Sequence, residues 1–289
     1  MRVTVVEPLN VEKSDIEKYR KKFLDFEYYD NIAKTNDELY ERVKDSEILV
    51  IANTKFSSEV LSKLNKTKYI SIAFTGFDHI DVKLAKNKGI IVSNSRGYSD
   101  VCVAELVIGQ VLNVYRKLNE KGVYKGNEIY GKTVGILGHG KIGKRVHKLF
   151  ISLGAKVIYY DPNDKKSHNL EEVLKNSDIV TLHMPANDKT KNFINYEKLS
   201  MMKKDTILIN MARESVLNTR DLKKILDESR LKAVILDVID DKSLVENYSN
   251  VYITEHIAYL TCESMKRRLD ICMNNVIEYI NGNIVNEVN

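Results

Sequence analysis

Gly138, Gly140 and Gly143 stand at GxGxxG spacing between an apolar, β-branched run, Thr133 to Leu137, and an amphipathic stretch that reaches Leu153. In that setting the first glycine permits a tight turn, the second lets backbone approach a pyrophosphate, and the third lets helix and strand pack closely. The intervening His139, Lys141 and Ile142 belong to the same turn, whose helix N-terminal amides favour phosphate oxygens. The next apolar run ends in Asp161, where a carboxylate accepts hydrogen bonds from both hydroxyls of an adenosine ribose. Its charge repels a 2′-phosphate, so the expected cofactor is NAD rather than NADP, a preference that Lys165 and Lys166 close behind would soften.

These residues need a scaffold, and the rest of the chain supplies its pattern. Short apolar runs recur at Val3 to Val6, Ile48 to Ile51, Tyr69 to Ala73, Ile90 to Val92, Thr133 to Leu137, Val157 to Tyr160, Ile179 to Leu182, Ile207 to Ile209, Val234 to Leu236 and Val251 to Ile253. Amphipathic stretches such as Ser58 to Leu64, Lys141 to Leu153 and Leu222 to Leu226 lie between most of them. Strand and helix alternating at this length specify an α/β fold with parallel sheets covered on both faces. Two domains are expected, because 289 residues exceed what one core sustains. A long apolar helix, Ser99 to Leu118, marks the seam and should be buried between units. A second long helix, about Cys262 to Ile280, ends the pattern. If it packs on the first domain, residues 1–97 and 260–289 flank an inserted 98–259.

Bulk properties narrow the class. With 43% hydrophobic and 29% charged residues the chain lies near globular averages. The net charge of +5 comes from lysines scattered among acidic residues, unlike the concentrated basic face of a nucleic-acid binder. Cys102, Cys262 and Cys272 are odd in number and lack metal-ligand spacing, so neither a disulfide framework nor a metal site is expected. The opening MRVTVVEP has no signal-peptide core, and no apolar run approaches bilayer length, so a cytoplasmic protein is expected by default.

Further segments follow in order: Thr75-Gly-Phe-Asp-His-Ile-Asp81, Asn94-Ser-Arg-Gly-Tyr-Ser99, Val103-Ala-Glu105, Asp178-Ile-Val-Thr-Leu-His-Met-Pro185, Ile209-Asn-Met-Ala-Arg213, Leu236-Asp-Val238 and Thr254-Glu-His-Ile-Ala258. Together with the glycine turn they resemble the D-2-hydroxyacid dehydrogenases over roughly residues 48 to 260. The resemblance implies a Rossmann NAD-binding domain inserted into a discontinuous, flavodoxin-like substrate domain, both doubly wound. It also implies reversible reduction of a 2-keto acid by NADH.

Such a reduction builds negative charge on the carbonyl oxygen, which needs a nearby cation and a proton donor. The resemblance assigns these roles to Arg213 and His256. Arg213 falls just past a strand end, and its planar fork suits a carboxylate. His183, Pro185, Met211, Ala212 and Asp237 are implied to line the cofactor. Asn53, Thr75, Gly76 and Phe77 are implied to meet the substrate, with the backbone amides around Gly76 and Phe77 as carboxylate anchors.

Departures from the family pattern cluster near the histidine. The family's glutamate partner of that histidine falls, by counting from Asp237, on Lys242. Asp241 is the preferred substitute, with Asp240 and Glu246 as alternatives. Glu214 stands where the family has glycine, and Glu255 where it has proline. The segments Leu118 to Gly131 and Pro162 to Leu170 are short, although the apolar helix from Asp100 still implies a homodimer joined through the cofactor domains. The glycerate dehydrogenase or hydroxypyruvate reductase branch is favoured by Asn53-Thr-Lys55 and the run around Phe74 and Phe77, with D-lactate dehydrogenase as the alternative. The rival from another class is a non-enzymatic NAD sensor of the corepressor kind. Formate oxidation is disfavoured, because no glutamine lies near the loop after Asp237.

Overall fold

The computed structural model describes residues 1–289. In chain order the elements are β1 (Arg2–Val5), α1 (Lys13–Arg20), β2 (Asp25–Tyr28), α2 (Asn36–Val43), β3 (Ile48–Ile51), α3 (Ser58–Lys63), β4 (Tyr69–Ile72), α4 (Val82–Asn87), β5 (Ile91–Asn94), α5 (Asp100–Arg116), β6 (Thr133–Leu137), α6 (Lys141–Ser152), β7 (Lys156–Tyr160), α7 (Leu170–Asn176), β8 (Ile179–Leu182), α8 (Tyr196–Met201), β9 (Thr206–Asn210), α9 (Thr219–Asp227), β10 (Leu231–Leu236), β11 (Val251–Ile253) and α10 (Cys262–Ile280). They form two compact units, Met1–Ser99 with Leu260–Asn289, and Asp100–Tyr259. No helix is long and apolar enough to cross a membrane.

The first unit carries a parallel sheet in the order β2-β1-β3-β4-β5. Strands β3 and β4 are buried at every position, as central strands covered on both faces must be. Alternation splits their side chains between two cores. Leu49, Ile51, Ile70 and Ile72 pack with Leu39, Val43, Val60, Leu61 and Ala85 from the short helices. Ile48, Val50 and Tyr69 pack with Leu269, Cys272, Met273 and Val276 of α10 on the other face. Strand β2, Asp-Phe-Glu-Tyr, is half-exposed; it has no contiguous apolar run, which is why periodicity passes over it. Beyond α10 the chain runs antiparallel beside β5, with Asn94 N–H donating to Asn286 O at 3.0 Å and Val288 N–H to Val92 O at 2.9 Å. That closes an otherwise open edge.

The second unit has a six-stranded parallel sheet, β7-β6-β8-β9-β10-β11. Helix α5 lays Cys102, Val103, Ala104, Val107, Val111 and Val114 against the core built on Ile136, Val146, Phe150 and Ile209. The short connection after β7 returns alongside that strand just far enough for His168 N–H to reach Tyr159 O at 2.9 Å. The sheet therefore turns over between β6 and β8, and in the first unit between β1 and β3. Ligands of open α/β sheets bind outside the carboxyl ends of strands at such points.

Candidate active site and cofactor cradle

The glycine turn lies between β6 and α6, and each glycine has a separate reason. Gly138 has φ +93°, and a side-chain carbon there would lie 2.7 Å from His183 O. Gly143 sits so close to the turn that the same carbon would fall 2.1 Å from Gly138 O. At Gly140 it would meet nothing within 4 Å. The fold itself does not require that glycine, and the open space fits the close approach of a diphosphate. Helix α6 has no side-chain cap and no acidic residue in its first turn, whereas α7, α8 and α9 are capped by Asn169, Asn195 and Asn218. Its first amides, at Lys141, Ile142 and Gly143, are thus left for an anion.

Asp161, past the end of β7, accepts from His139 N–H at 2.9 Å and Asn163 N–H at 2.9 Å. Those bonds fix its carboxylate and leave acceptor capacity for ribose hydroxyls. These features fit NAD. The His139 ring stacks on Tyr159 with centroids 3.7 Å apart and faces His147 Nδ1 through Nε2 at 3.0 Å. Burial lowers the pKa of both imidazoles. This cluster covers the edge strand β7 where the chain's return is trimmed.

His183 follows β8 beside Gly138. Its Nε2 meets Thr181 Oγ1 at 2.9 Å, its Nδ1 is buried without a partner, and burial pushes the imidazole down to about 3. It is a neutral ring at working pH. Pro185 is exposed, with its carbonyl accepting from Thr190 Oγ1 at 2.6 Å. Met211 and Ala212 are buried just past β9. Buried Asn210 shapes the turn they belong to, accepting from Ala212 N–H at 3.0 Å and donating to Arg213 O at 3.1 Å. Arg213 leaves this turn half-buried, with one Nη1 bond to Ala212 O at 2.9 Å.

Asp237, expected to line the cofactor, follows β10 directly. It is 3% exposed, and its carboxylate accepts from Thr254 Oγ1 (2.6 Å), Ile257 N–H (2.9 Å) and Ala258 N–H (3.0 Å). Its own carbonyl accepts from His256 N–H at 3.0 Å. The turn after β11 is strapped to the end of β10, and His256 is held at φ +53°, a conformation that costs a non-glycine residue about 1–2 kcal/mol. The His256 ring is exposed and edges onto Tyr259 with centroids 5.4 Å apart.

The expected Asp241–His256 pair is not formed. Asp241 Oδ1 closes on its own turn, accepting from Ser243 N–H and Oγ at 3.2 and 2.6 Å. Asp240 accepts from Thr219 Oγ1 and from Asp241 N–H. The ion pair beside the histidine joins the two departures instead, Lys242 Nζ to Glu255 Oε1 at 3.1 Å. Glu214, Asp240, Lys242, Glu255 and His256 line one cavity of about 380 Å³.

In the first unit, Asn94 and Ser95 take the carbonyls of the loop after β4. Ser95 N–H donates to Phe74 O at 2.9 Å, Asn94 Nδ2 to Thr75 O at 2.7 Å, and Ser95 Oγ to Ile72 O at 2.8 Å. The N–H groups of Thr75, Gly76 and Phe77 have no acceptor within the fold, leaving a row of donors suited to a carboxylate. Asn53 follows β3, with its N–H on the buried Glu7 carboxylate at 3.1 Å.

A family model, D-isomer specific 2-hydroxyacid dehydrogenase, NAD binding domain, matches residues 108–258. D-3-phosphoglycerate dehydrogenase of Methanocaldococcus jannaschii is 33% identical over 88% of this chain, which spans 53% of that protein's length. Hydroxypyruvate reductase of Blautia hydrogenotrophica is 30% identical over 90% of this chain and 91% of its own. A solved acyclic imino acid reductase, in complex with NADPH and D-arginine, superposes with TM-score 0.91 over 100% of both chains at 27% identity.

Two outcomes are expected. Gly140→Ala should leave the melting temperature unchanged while weakening NADH binding, and Gly143→Ala should destabilise by about 1–3 kcal/mol; calorimetric titration and thermal melts separate the two. For His183 the folded pKa lies below the unfolded value of 6.5, so the unfolded chain takes up the proton first. Stability is then full above that value and falls as pH drops toward about 3, by about 1.4 kcal/mol per pH unit. His183→Gln should flatten that slope in urea titrations across the window.

Proposed function

The chain belongs to the D-isomer-specific 2-hydroxyacid dehydrogenases, NAD-dependent oxidoreductases, and from that premise we propose that its substrate is a small 2-keto acid, hydroxypyruvate or glyoxylate. The observation that carries this reading is the pair of groups at strand ends of the NAD-binding unit, a guanidinium on the turn after β9 and a strapped imidazole after β11. Bound NADH supplies the hydride. Arg213 offsets the charge that grows on the carbonyl oxygen, and His256 delivers the proton to it. In the oxidative direction His256 removes that proton from the hydroxyl. The free amides at 75–77 take the substrate carboxylate, and Asp237 holds the histidine turn. The hydroxypyruvate reductase and glyoxylate reductase names among relatives support the small-acid reading.

A second reading has its own observation. The imino acid reductase superposes along the whole chain, and the carboxylates of Glu214 and Asp240 in the cavity of His256 would tolerate a cationic substrate. D-lactate dehydrogenase activity and a non-catalytic NAD sensor complete the alternatives. A homodimer through the NAD-binding unit is a further part of the proposal, and the exposed apolar residues Leu118, Val123, Tyr130 and Ile151 in and beside α5 and α6 support it.

NADH oxidation followed with hydroxypyruvate, glyoxylate, pyruvate, 2-ketoisocaproate, and pyruvate plus ammonia ranks these readings; turnover should be highest with the first two. Arg213→Ala and His256→Ala should each lower kcat at least about a hundredfold, and near-normal turnover in either removes that residue from the mechanism. By light scattering the protein should run at twice the mass of its chain, and Tyr130→Lys with Ile151→Lys should shift it toward the monomer.

A further inference from the structure

Arg268 of α10 is 1% exposed. Its guanidinium makes no ion pair. Nη2 donates to Leu9 O, the Cζ lies 4.6 Å from the Phe74 ring centroid, and Nε is buried with no acceptor. The other buried arginine of this unit is held differently: Arg42, 7% exposed, is satisfied by Val6 O, Asn31 O, Asn31 Oδ1 and the Glu38 carboxylate. An enclosed cation without an anion is costly, and replacing it by a hydrophobic group of similar volume should stabilise the fold. Its presence therefore calls for a function.

The placement indicates which one. Phe74 immediately precedes Thr75, Gly76 and Phe77, whose N–H groups have no acceptor inside the protein. Leu9 lies beyond the carboxyl end of β1 and Phe74 beyond that of β4, the edge of the sheet at which ligands bind. The loop's carbonyls are turned to Asn94 and Ser95, so donors remain on its open side. A low-dielectric wall between an unpaired charge and that loop transmits the charge with little screening. Glu7, the buried carboxylate of the same edge, is already held by the amides of Ala52, Asn53 and Thr54 and does not pair with the guanidinium.

We propose that Arg268 is a positioning residue for the substrate's carboxylate: its buried, uncompensated charge, stacked on Phe74, makes the 75–77 amide row an anion site. The counter-anion that the fold withholds is the one the substrate brings. This deepens the proposed function and rests on its assignment of the 75–77 amides to the carboxylate.

The test compares Arg268→Met, which keeps volume and the stack but removes charge, with Arg268→Lys, which keeps charge. Oxamate, a carboxylate-bearing keto-acid mimic, is titrated calorimetrically into the NADH-loaded proteins, alongside KM and kcat for the best keto acid and thermal melts. Arg268→Met should weaken oxamate binding and raise the keto-acid KM about tenfold or more, with kcat and the KM for NADH changed less than about threefold. Its melting temperature should be equal or higher, and Arg268→Lys should restore oxamate affinity to within about threefold of the parent. A purely structural arginine predicts the reverse, a lower melting temperature in Arg268→Met with unaltered oxamate affinity, and that result overturns the proposal. So does a folded Arg268→Lys that fails to recover affinity. If Arg268→Met does not fold, structural necessity is shown and the proposal falls. Loss of turnover on every keto acid while oxamate still binds in an Arg268-dependent way would reject the reading of function and leave this inference standing.

Discussion

One buried carboxylate organises the catalytic end of the second unit. Asp237 receives a hydroxyl and two amides from the segment 254–258 on its side chain, and the amide of His256 on its carbonyl. A buried charge is tolerable when its lone pairs are filled this way. The same bonds offset the left-handed backbone of His256, so the point from which the imidazole projects is fixed, with Tyr259 edging the ring. Every role given to that ring depends on the strap, because a proton donor misplaced by an ångström loses much of its value.

The surroundings of the histidine also show how charge can be redistributed with the scaffold kept. Lys242 and Glu255, neither expected at its position from the family pattern, meet each other at 3.1 Å. An exposed pair of this kind contributes little to stability. Its effect is local and electrostatic: it neutralises two charges beside the imidazole, leaving Glu214 and Asp240 to set the sign of that cavity.

The sequence exposed the parts of this architecture that are local. Gly138, Gly140, Gly143 and Asp161 are legible because each answers to a turn, a close approach or a strand end a few residues away. Ten strands announce themselves as apolar runs, whereas β2 does not, since an edge strand with one wet face needs no such run. At Asp237 the motif shows an acid after a strand but not that Thr254, Ile257 and Ala258 return to bond it. Asp241 was misplaced for a related reason: counting along a loop cannot reveal that its carboxylate closes on Ser243. The open amides at 75–77 carry no side-chain signal at all, and only the resemblance pointed to them.

The stitching of β5 to residues 286–289, and of α10 to β3 and β4, has a consequence for assembly. These contacts join segments about two hundred positions apart, with an entire second unit between them. During synthesis that inserted unit can condense as soon as β11 leaves the ribosome, while the first must wait with one face of its sheet bare until the last helix arrives. The half that is translated first is therefore the half that matures last, and its uncovered β3 and β4 are the surfaces a chaperone would have to guard in the interval.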